Sequence, residues 1–193
     1  KYGETALHVA INHNNSEIAV YLINNKININ IKDFKYELSP IHYIIVNNNL
    51  ELFNYLKNIN FTIQDFKGRN YIHYLIIYNK QKILIELLNK YEDKLNYNMC
   101  DISGSTPLHL ILQSNYFIDS KLIIKKFIKN TKLNLQDNKG NTCFYYLVKN
   151  KIWYDYLDEL NFKKLNIFVY NLNNEQIIDL VDKKMFDKFL NLI

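Results

Sequence analysis

The residues of this chain best equipped for acid–base or metal chemistry are its histidines. Four of them, His8, His42, His73 and His109, stand 34, 31 and 36 residues apart. A shared zinc ion needs nitrogen ligands about 2.0–2.1 Å from the metal. Units of a stack repeat about every 10 Å, so side chains one unit apart cannot converge on such an ion. His13 falls outside the spacing and is read as a surface residue on a loop. Cys100 and Cys143 lack the Cys-x-x-Cys spacing of a zinc site or redox pair, and they suggest no disulfide framework. Serine catalysis calls for a strained turn such as Gly-x-Ser-x-Gly, and Ser103-Gly104-Ser105 does not match it. With 4 glycines in all there is neither a phosphate loop nor a dinucleotide fingerprint. Glu92 with Asp93 and Asp158 with Glu159 lie beside lysines or at helix ends and are read as solvated faces. No catalytic residue, metal ligand, cofactor or small-molecule substrate is assigned.

Charge narrows the partners. The formal net charge is +5, almost all of it from lysine, because Arg69 is the lone arginine. Readers of base edges and phosphates rely on the bidentate arginine fork, so this balance argues against nucleic acid as a partner. Every apolar run is broken by Asn, Lys or Asp well before 18 residues, which predicts no membrane span. No charged, apolar and then small-residue series follows Lys1, so no secretory leader is expected. A reducing compartment such as the cytoplasm fits the cysteine usage. With 48% hydrophobic residues, 193 residues suffice to bury a core.

The elements that must hold these side chains follow from an internal repeat. Gly3-Glu4-Thr5-Ala6-Leu7-His8 returns as Ser39-Pro40-Ile41-His42, Asn70-Tyr71-Ile72-His73 and Thr106-Pro107-Leu108-His109. A fifth copy, Thr142-Cys143-Phe144-Tyr145, ends in tyrosine. Asp33, Asp65, Asp101 and Asp137 precede the later copies by eight or nine residues. Gly68, Gly104 and Gly140 follow the last three of these aspartates, and Asn30, Thr62, Asn98 or Asn134 stands three residues before each of the four. Asn14, Asn48, Asn79 and Asn115 come six residues after the histidines.

Each marker has a local cause. Thr or Ser before Pro starts a helix, since the hydroxyl caps free amides and proline suits the first turn. Asparagine tolerates the left-handed conformation that ends a short helix. Second helices are predicted over Ser16–Leu22, Leu50–Leu56, Lys82–Leu88 and Ser120–Ile128, with buried faces at Ile18, Tyr21 and Leu22 and at Ile83, Leu87 and Leu88. Asp-x-x-Gly then turns the chain into the next unit. A pair of short helices cannot bury its apolar face alone, so the units must stack.

Gly104-Ser105-Thr106-Pro107-Leu108-His109 matches in full the signature Gly-x-Thr-Pro-Leu-His, and with it the chain resembles the ankyrin repeat family. The resemblance implies an all-α solenoid of helix-turn-helix units joined by β-turn or hairpin loops. Five repeats are expected, over 1–32, 33–64, 65–100, 101–136 and 137–164, followed by a degenerate helical cap over 165–193. There Asn174-Glu175 marks the cap position, and Ile177, Ile178, Leu180, Val181, Phe186, Phe189 and Leu190 carry the apolar spacing. The first unit starts midway through its turn, which leads us to expect an earlier repeat or cap ahead of Lys1. Departures fall at the second turn, where Tyr36 and an extra residue stand in place of glycine, at Asn70-Tyr71 and at Tyr145. In this family the histidine bonds the nearby hydroxyl and the backbone of the neighbouring turn, which suits Thr5 with His8 and Thr106 with His109. The bias toward Asn, Lys, Ile, Tyr and Phe is that of an AT-rich genome, as in a large DNA virus or an AT-rich protist.

Ankyrin proteins meet partners at their turn tips, so the resemblance implies a non-catalytic scaffold for protein–protein interaction. The tips here read Lys1-Tyr2, Phe34-Lys35, Phe66-Lys67-Arg69, Ile102-Ser103 and Asn138-Lys139, and the expected contacts are Tyr2, Phe34, Lys35, Phe66, Lys67, Arg69 and Lys139. Aromatic residues beside cations suit a partner with apolar pockets and an acidic rim. The competing explanation for Phe34 and Phe66 is packing on neighbouring turns. Two other readings are a cementing component of a larger assembly such as a virus particle, and lysine-mediated binding of nucleic acid. A viral origin would put the protein in the host cytoplasm or the virion.

Overall fold

The computed structural model describes residues 2–114, 116, 117, 120–181, 186, 187 and 190. Lys1, Asn115 and Phe189, all used above, lie outside the described residues. The chain divides into two compact units, Lys1–Asn96 and Tyr97–Ile193.

The first unit holds three helical hairpins. They are α1 (Ala6–Asn12) with α2 (Ser16–Asn24), α3 (Pro40–Val46) with α4 (Leu50–Tyr55), and α5 (Tyr71–Ile77) with α6 (Gln81–Tyr91), closed by a 3₁₀ turn at Glu92–Lys94. One row of helices, α1, α3 and α5, packs side by side, and α2, α4 and α6 form a second row against it. Leu7, Ile41, Ile44, Ile45 and Leu75 are fully buried between them. Each such side chain contributes about 1.5–3 kcal/mol on leaving water. Thr5, Ser39 and Asn70 stand in extended backbone as the N-caps of α1, α3 and α5. The left-handed residue between hairpin helices is Asn14 (φ 55°), Asn48 (φ 56°) or Asn79 (φ 50°).

The second unit begins in the same way, with α7 (Pro107–Gln113) against α8 (Lys121–Asn130) and then α9 (Cys143–Lys149). Lys151 takes the left-handed place after α9 at φ 59°. Beyond it regular helices give way to 3₁₀ turns at Trp153–Tyr156, Phe162–Lys164 and Ile177–Leu180. The first and third of these pack on α9. The loop at Asp137 closes an isolated antiparallel bridge between Gln136 and Thr142.

Two expectations need correction, on α2 and on the C-terminal cap. In α2, Ala19 is the buried residue, while Ile18 and Tyr21 are 50% and 68% exposed. This helix is apolar nearly all round, so spacing alone cannot choose its inner face, and the smallest side chain takes it. In the second turn, where Tyr36 and an extra residue stand in place of glycine, the left-handed residue is Glu37 (φ 54°). In the C-terminal segment the N-cap is Gln176, not Asn174-Glu175, and Asn174 (φ 61°) occupies the position glycine holds in the earlier turns.

Candidate binding surface

Each turn is built around one acidic or amide side chain. The buried Asp65 carboxylate accepts the backbone N–H of Lys67 and of Arg69 through Oδ1 at 2.9 and 2.8 Å. Its Oδ2 accepts Arg69 Nε and Nη2 at 2.8 and 2.6 Å and the Tyr74 hydroxyl at 2.8 Å. Burial works against this carboxylate, yet the Arg69 bonds hold it below its ordinary range. Asp33 gathers the N–H of Lys35, Tyr36 and Leu38 with the Tyr43 hydroxyl. Asp137 gathers Lys139, Asn141, Tyr146 and Gln113. In the last turn Asn171 does the same work for the N–H of Asn173 and Glu175. Burial raises the Tyr43 and Tyr146 phenols to about 12, with the neighbouring aspartates adding to it.

Within each unit, successive turns join through their backbones. Phe34 N–H donates to Tyr2 O at 2.7 Å, Asn138 N–H to Ser103 O at 2.8 Å and Leu172 N–H to Lys139 O at 2.8 Å. Close approach is what the glycines permit. A Cβ on Gly140 would lie 2.9 Å from Asn171 Cα, and one on Gly3 2.6 Å from the Phe34 ring.

The histidines make a second set of joints. His8 Nδ1 accepts the Thr5 N–H at 3.0 Å, which leaves Nε2 to donate to Leu38 O at 3.0 Å. His109 repeats this with Thr106 and with Asn141 O at 3.2 Å. Burial lowers both imidazoles, so they act as neutral struts. It lowers that of His42 to about 3; there Nε2 meets no hydrogen-bond partner among the described residues, and the ring instead packs 4.6 Å from those of Tyr71 and Tyr74. Tyr145, one atom group longer, reaches the Glu175 carboxylate at 2.8 Å instead of a carbonyl. Asn70 serves as a cap in place of Thr, its side chain accepting the His73 N–H, and the Tyr71 hydroxyl meets Ser39 Oγ at 2.9 Å.

On this frame the tip residues take distinct positions. Phe34 is 84% exposed although its ring lies over Gly3, so packing on a neighbouring turn and exposure hold together. Phe66 is half-exposed, with its ring 6.2 Å from that of Tyr36. Lys35 Nζ lies over the rings of Tyr2 and Tyr36 at 5.4 and 4.6 Å, and Lys67 Nζ over Phe66 at 5.5 Å. Arg69 is half-buried, paired with Asp65 and set over the Tyr74 ring at 4.8 Å. Tyr2, Phe34, Lys35, Phe66, Lys67 and Arg69 all belong to the first unit. Lys139 is exposed in the second unit, with no ring beneath its ammonium among the contacts described.

A groove of about 460 Å³ lies behind the tips of the first unit, between Tyr36, Tyr43, Val46, Phe66, Lys67 and Tyr78. Sequence reasoning missed Tyr43 and Tyr78 as surface-forming residues and saw Tyr36 as a flawed turn. The available signal was a tyrosine directly after His42, His73 and Tyr145, each of which bonds back to the aspartate of its turn. It also missed the asparagine staples. Asn47 donates to Ile11 O at 3.0 Å and Asn150 to Leu112 O at 2.6 Å, each bridging to the preceding hairpin. Asn134 bridges to Lys164 O at 2.7 Å and the Asn166 N–H at 2.9 Å.

No helix among the described residues is long and apolar enough to cross a membrane. A family model described as ankyrin repeats in many copies matches residues 1–44. Over its whole length the chain is 30% identical, across 216 aligned residues, to an ankyrin repeat protein of Acanthamoeba polyphaga mimivirus, and it spans 28% of that protein's length. An ankyrin repeat protein of Fowlpox virus (strain NVSL) is 25% identical over 179 residues, covering 75% of this chain and 93% of that one. Among solved structures, the ankyrin repeat domain of Bcl-3, a member of the IκB family, superimposes with a TM-score of 0.67 at 15% identity, covering 98% of this chain and 83% of that domain. EF0377, an ankyrin repeat protein, gives 0.65 at 20% identity, covering 79% and 78%. At those identities the structural likeness speaks for the fold. The histidine joints, aspartate-centred turns and stacked hairpins, taken with these relatives, place the chain in the ankyrin repeat family, whose members are generally protein-interaction modules.

Proposed function

We propose that this chain is a non-catalytic scaffold that binds another protein through the turn tips of its first unit. The contact stripe is Tyr2, Phe34, Lys35, Phe66, Lys67 and Arg69, with Lys139 as a separate contact on the second unit. One observation carries the reading: aromatic side chains stand half or more exposed at tips already fixed by backbone bonds, and the Lys35 and Lys67 ammonium groups lie against those rings. Exposed apolar groups cost solubility unless a partner covers them, and rings on rigid turns lose little freedom on binding. The chain's resemblance to viral ankyrin proteins favours a host-directed partner met in the host cytoplasm.

The test is recovery of partners from the native source with tagged chain. Phe34→Ala with Phe66→Ala should lower recovery of the specific partner by about tenfold or more, the effect of losing contacts worth about 1.4 kcal/mol. Undiminished recovery by a folded double variant would exclude the stripe.

A further inference from the structure

We propose that the groove behind the first unit's tips receives a short acidic segment of the partner and encloses one of its aromatic side chains. The inference rests on the scaffold reading above and names the chemistry that the surface selects.

Size comes first. About 460 Å³ is within the range of small ligand sites and exceeds a single side chain, so a ring with its flanking backbone fits. The lining is largely aromatic. Tyr36, Phe66 and Tyr78 are 42%, 51% and 43% exposed, which leaves ring area for a guest to cover. Rings prefer edge-to-face or offset neighbours, and an incoming aromatic side chain can meet three of them at once.

Charge then decides what surrounds that ring. Among the described residues, no acidic side chain lines the groove. The two aspartates of its turns are buried, with both oxygens of each occupied by donors from their own turns. The exposed acid of the second turn, Glu37, is paired with Lys32 at 2.6 Å. Arg69 is neutralised by Asp65, whereas Lys35 and Lys67 rest on aromatic faces rather than on carboxylates. Lys67 lines the groove, and Lys35 lies over the ring of its wall residue Tyr36, so two ammonium groups without a carboxylate partner among the described ion pairs flank a guest.

An aromatic-walled groove can also hold a cation, as in cages for methylated ammonium. Here the chain's own cations already lie against Tyr36, Phe66 and Tyr74, so a cationic guest would meet like charge where it needs a free ring face. Carboxylates on either side of the guest ring complement the rim instead, and such pairs speed encounter and exclude wrong partners.

The experiment titrates the full chain into three fluorescently labelled pentapeptides: Asp-Asp-Phe-Asp-Asp, Asp-Asp-Ala-Asp-Asp and Lys-Lys-Phe-Lys-Lys. By fluorescence anisotropy at low salt, the first should saturate at least about tenfold tighter than the other two and weaken as salt is raised. Tyr36→Ala with Tyr78→Ala should abolish its advantage over the alanine peptide, and Lys35→Glu with Lys67→Glu should reverse the charge preference. Equal affinity for the alanine peptide, tighter binding of the lysine peptide, or no saturation of the first peptide would each overturn the proposal. Tyr21, 68% exposed on α2, lies outside both the groove and the stripe, so Tyr21→Ala should leave peptide affinity unchanged. Loss of native-partner recovery with intact peptide binding marks the stripe alone, and intact recovery with failed peptide binding marks the groove alone.

Discussion

The turn at Asp65 and the turn at Asp137 share one backbone device but spend their exposed side chains differently. Both close an aspartate-to-glycine loop with a left-handed glycine, and both anchor the aspartate with a tyrosine hydroxyl. At the first, Phe66 and Lys67 face outward. At the second, Asn138 turns back, its amide bonding Ile102 O at 2.9 Å, and the following Gly140 lies against the backbone of the next turn. The first unit's tips thus leave aromatic surface open beside lysines, whereas the Asp137 tip uses its polar groups to tie one turn to another, and the second unit's other tips expose the aliphatic Ile102 and Leu172 with no lysine beside them.

Glycine substitutions should expose the difference most sharply. Gly140→Ala places Cβ against the backbone of Asn171 and Leu172 in addition to the left-handed strain, for a loss of about 3 kcal/mol. Gly3→Ala meets the exposed Phe34 ring first, a side chain that can swing aside, so its loss should stay near the strain alone, about 1 kcal/mol. Urea unfolding of both variants measures the gap, and equal losses would break the distinction.

Acid should act chiefly on the histidine joints. The folded state holds His42 neutral to about pH 3, while the unfolded chain protonates it near the ordinary value of 6.5. The stability this contributes is complete above pH 6.5 and is lost as pH falls toward 3, on the order of 3 kcal/mol by pH 4. At the corresponding joint of the second unit, burial and Glu175 raise the Tyr145 phenol to about 12 from 10.0. That contribution is present below pH 10 and is lost as pH rises through 12. Unfolding measured at pH 7, at pH 4 and above pH 10 follows both, and His42→Asn should flatten the acid limb without touching the alkaline one.

Smaller effects sharpen the picture. Asn150→Ala leaves Leu112 O without its bridge and should cost about 1 kcal/mol, as should Asn134→Ala. Phe34→Ala, at so exposed a tip, should change stability by under about 0.5 kcal/mol in the same assay, whatever it does to binding.

The repeat frame was legible because its determinants are local. Thr5, Thr106 and Thr142 cap their helices through bonds to residues three positions on, and Asn14, Asn48 and Asn79 adopt the left-handed turn their short side chains allow. The substitute Tyr145 could be aligned as an irregularity, but its partner Glu175 is 30 residues away and no local rule reaches it. The inner face of α2 was misread because Ile18, Ala19, Tyr21 and Leu22 offer two competing stripes, and packing against α1 and α4 chooses between them. The exposed tips were found by register with the aspartates. The groove behind them was not, because Tyr36, Tyr43 and Tyr78 meet only when successive hairpins stack.

Hydrogen exchange on the chain, free and saturated with its recovered partner, addresses the central claim most directly. The account predicts new protection at residues 34–37 and 66–69, with 102–105 and 138–141 unchanged. Protection confined to the second unit's turns, with the aromatic tips exchanging as before, would contradict it.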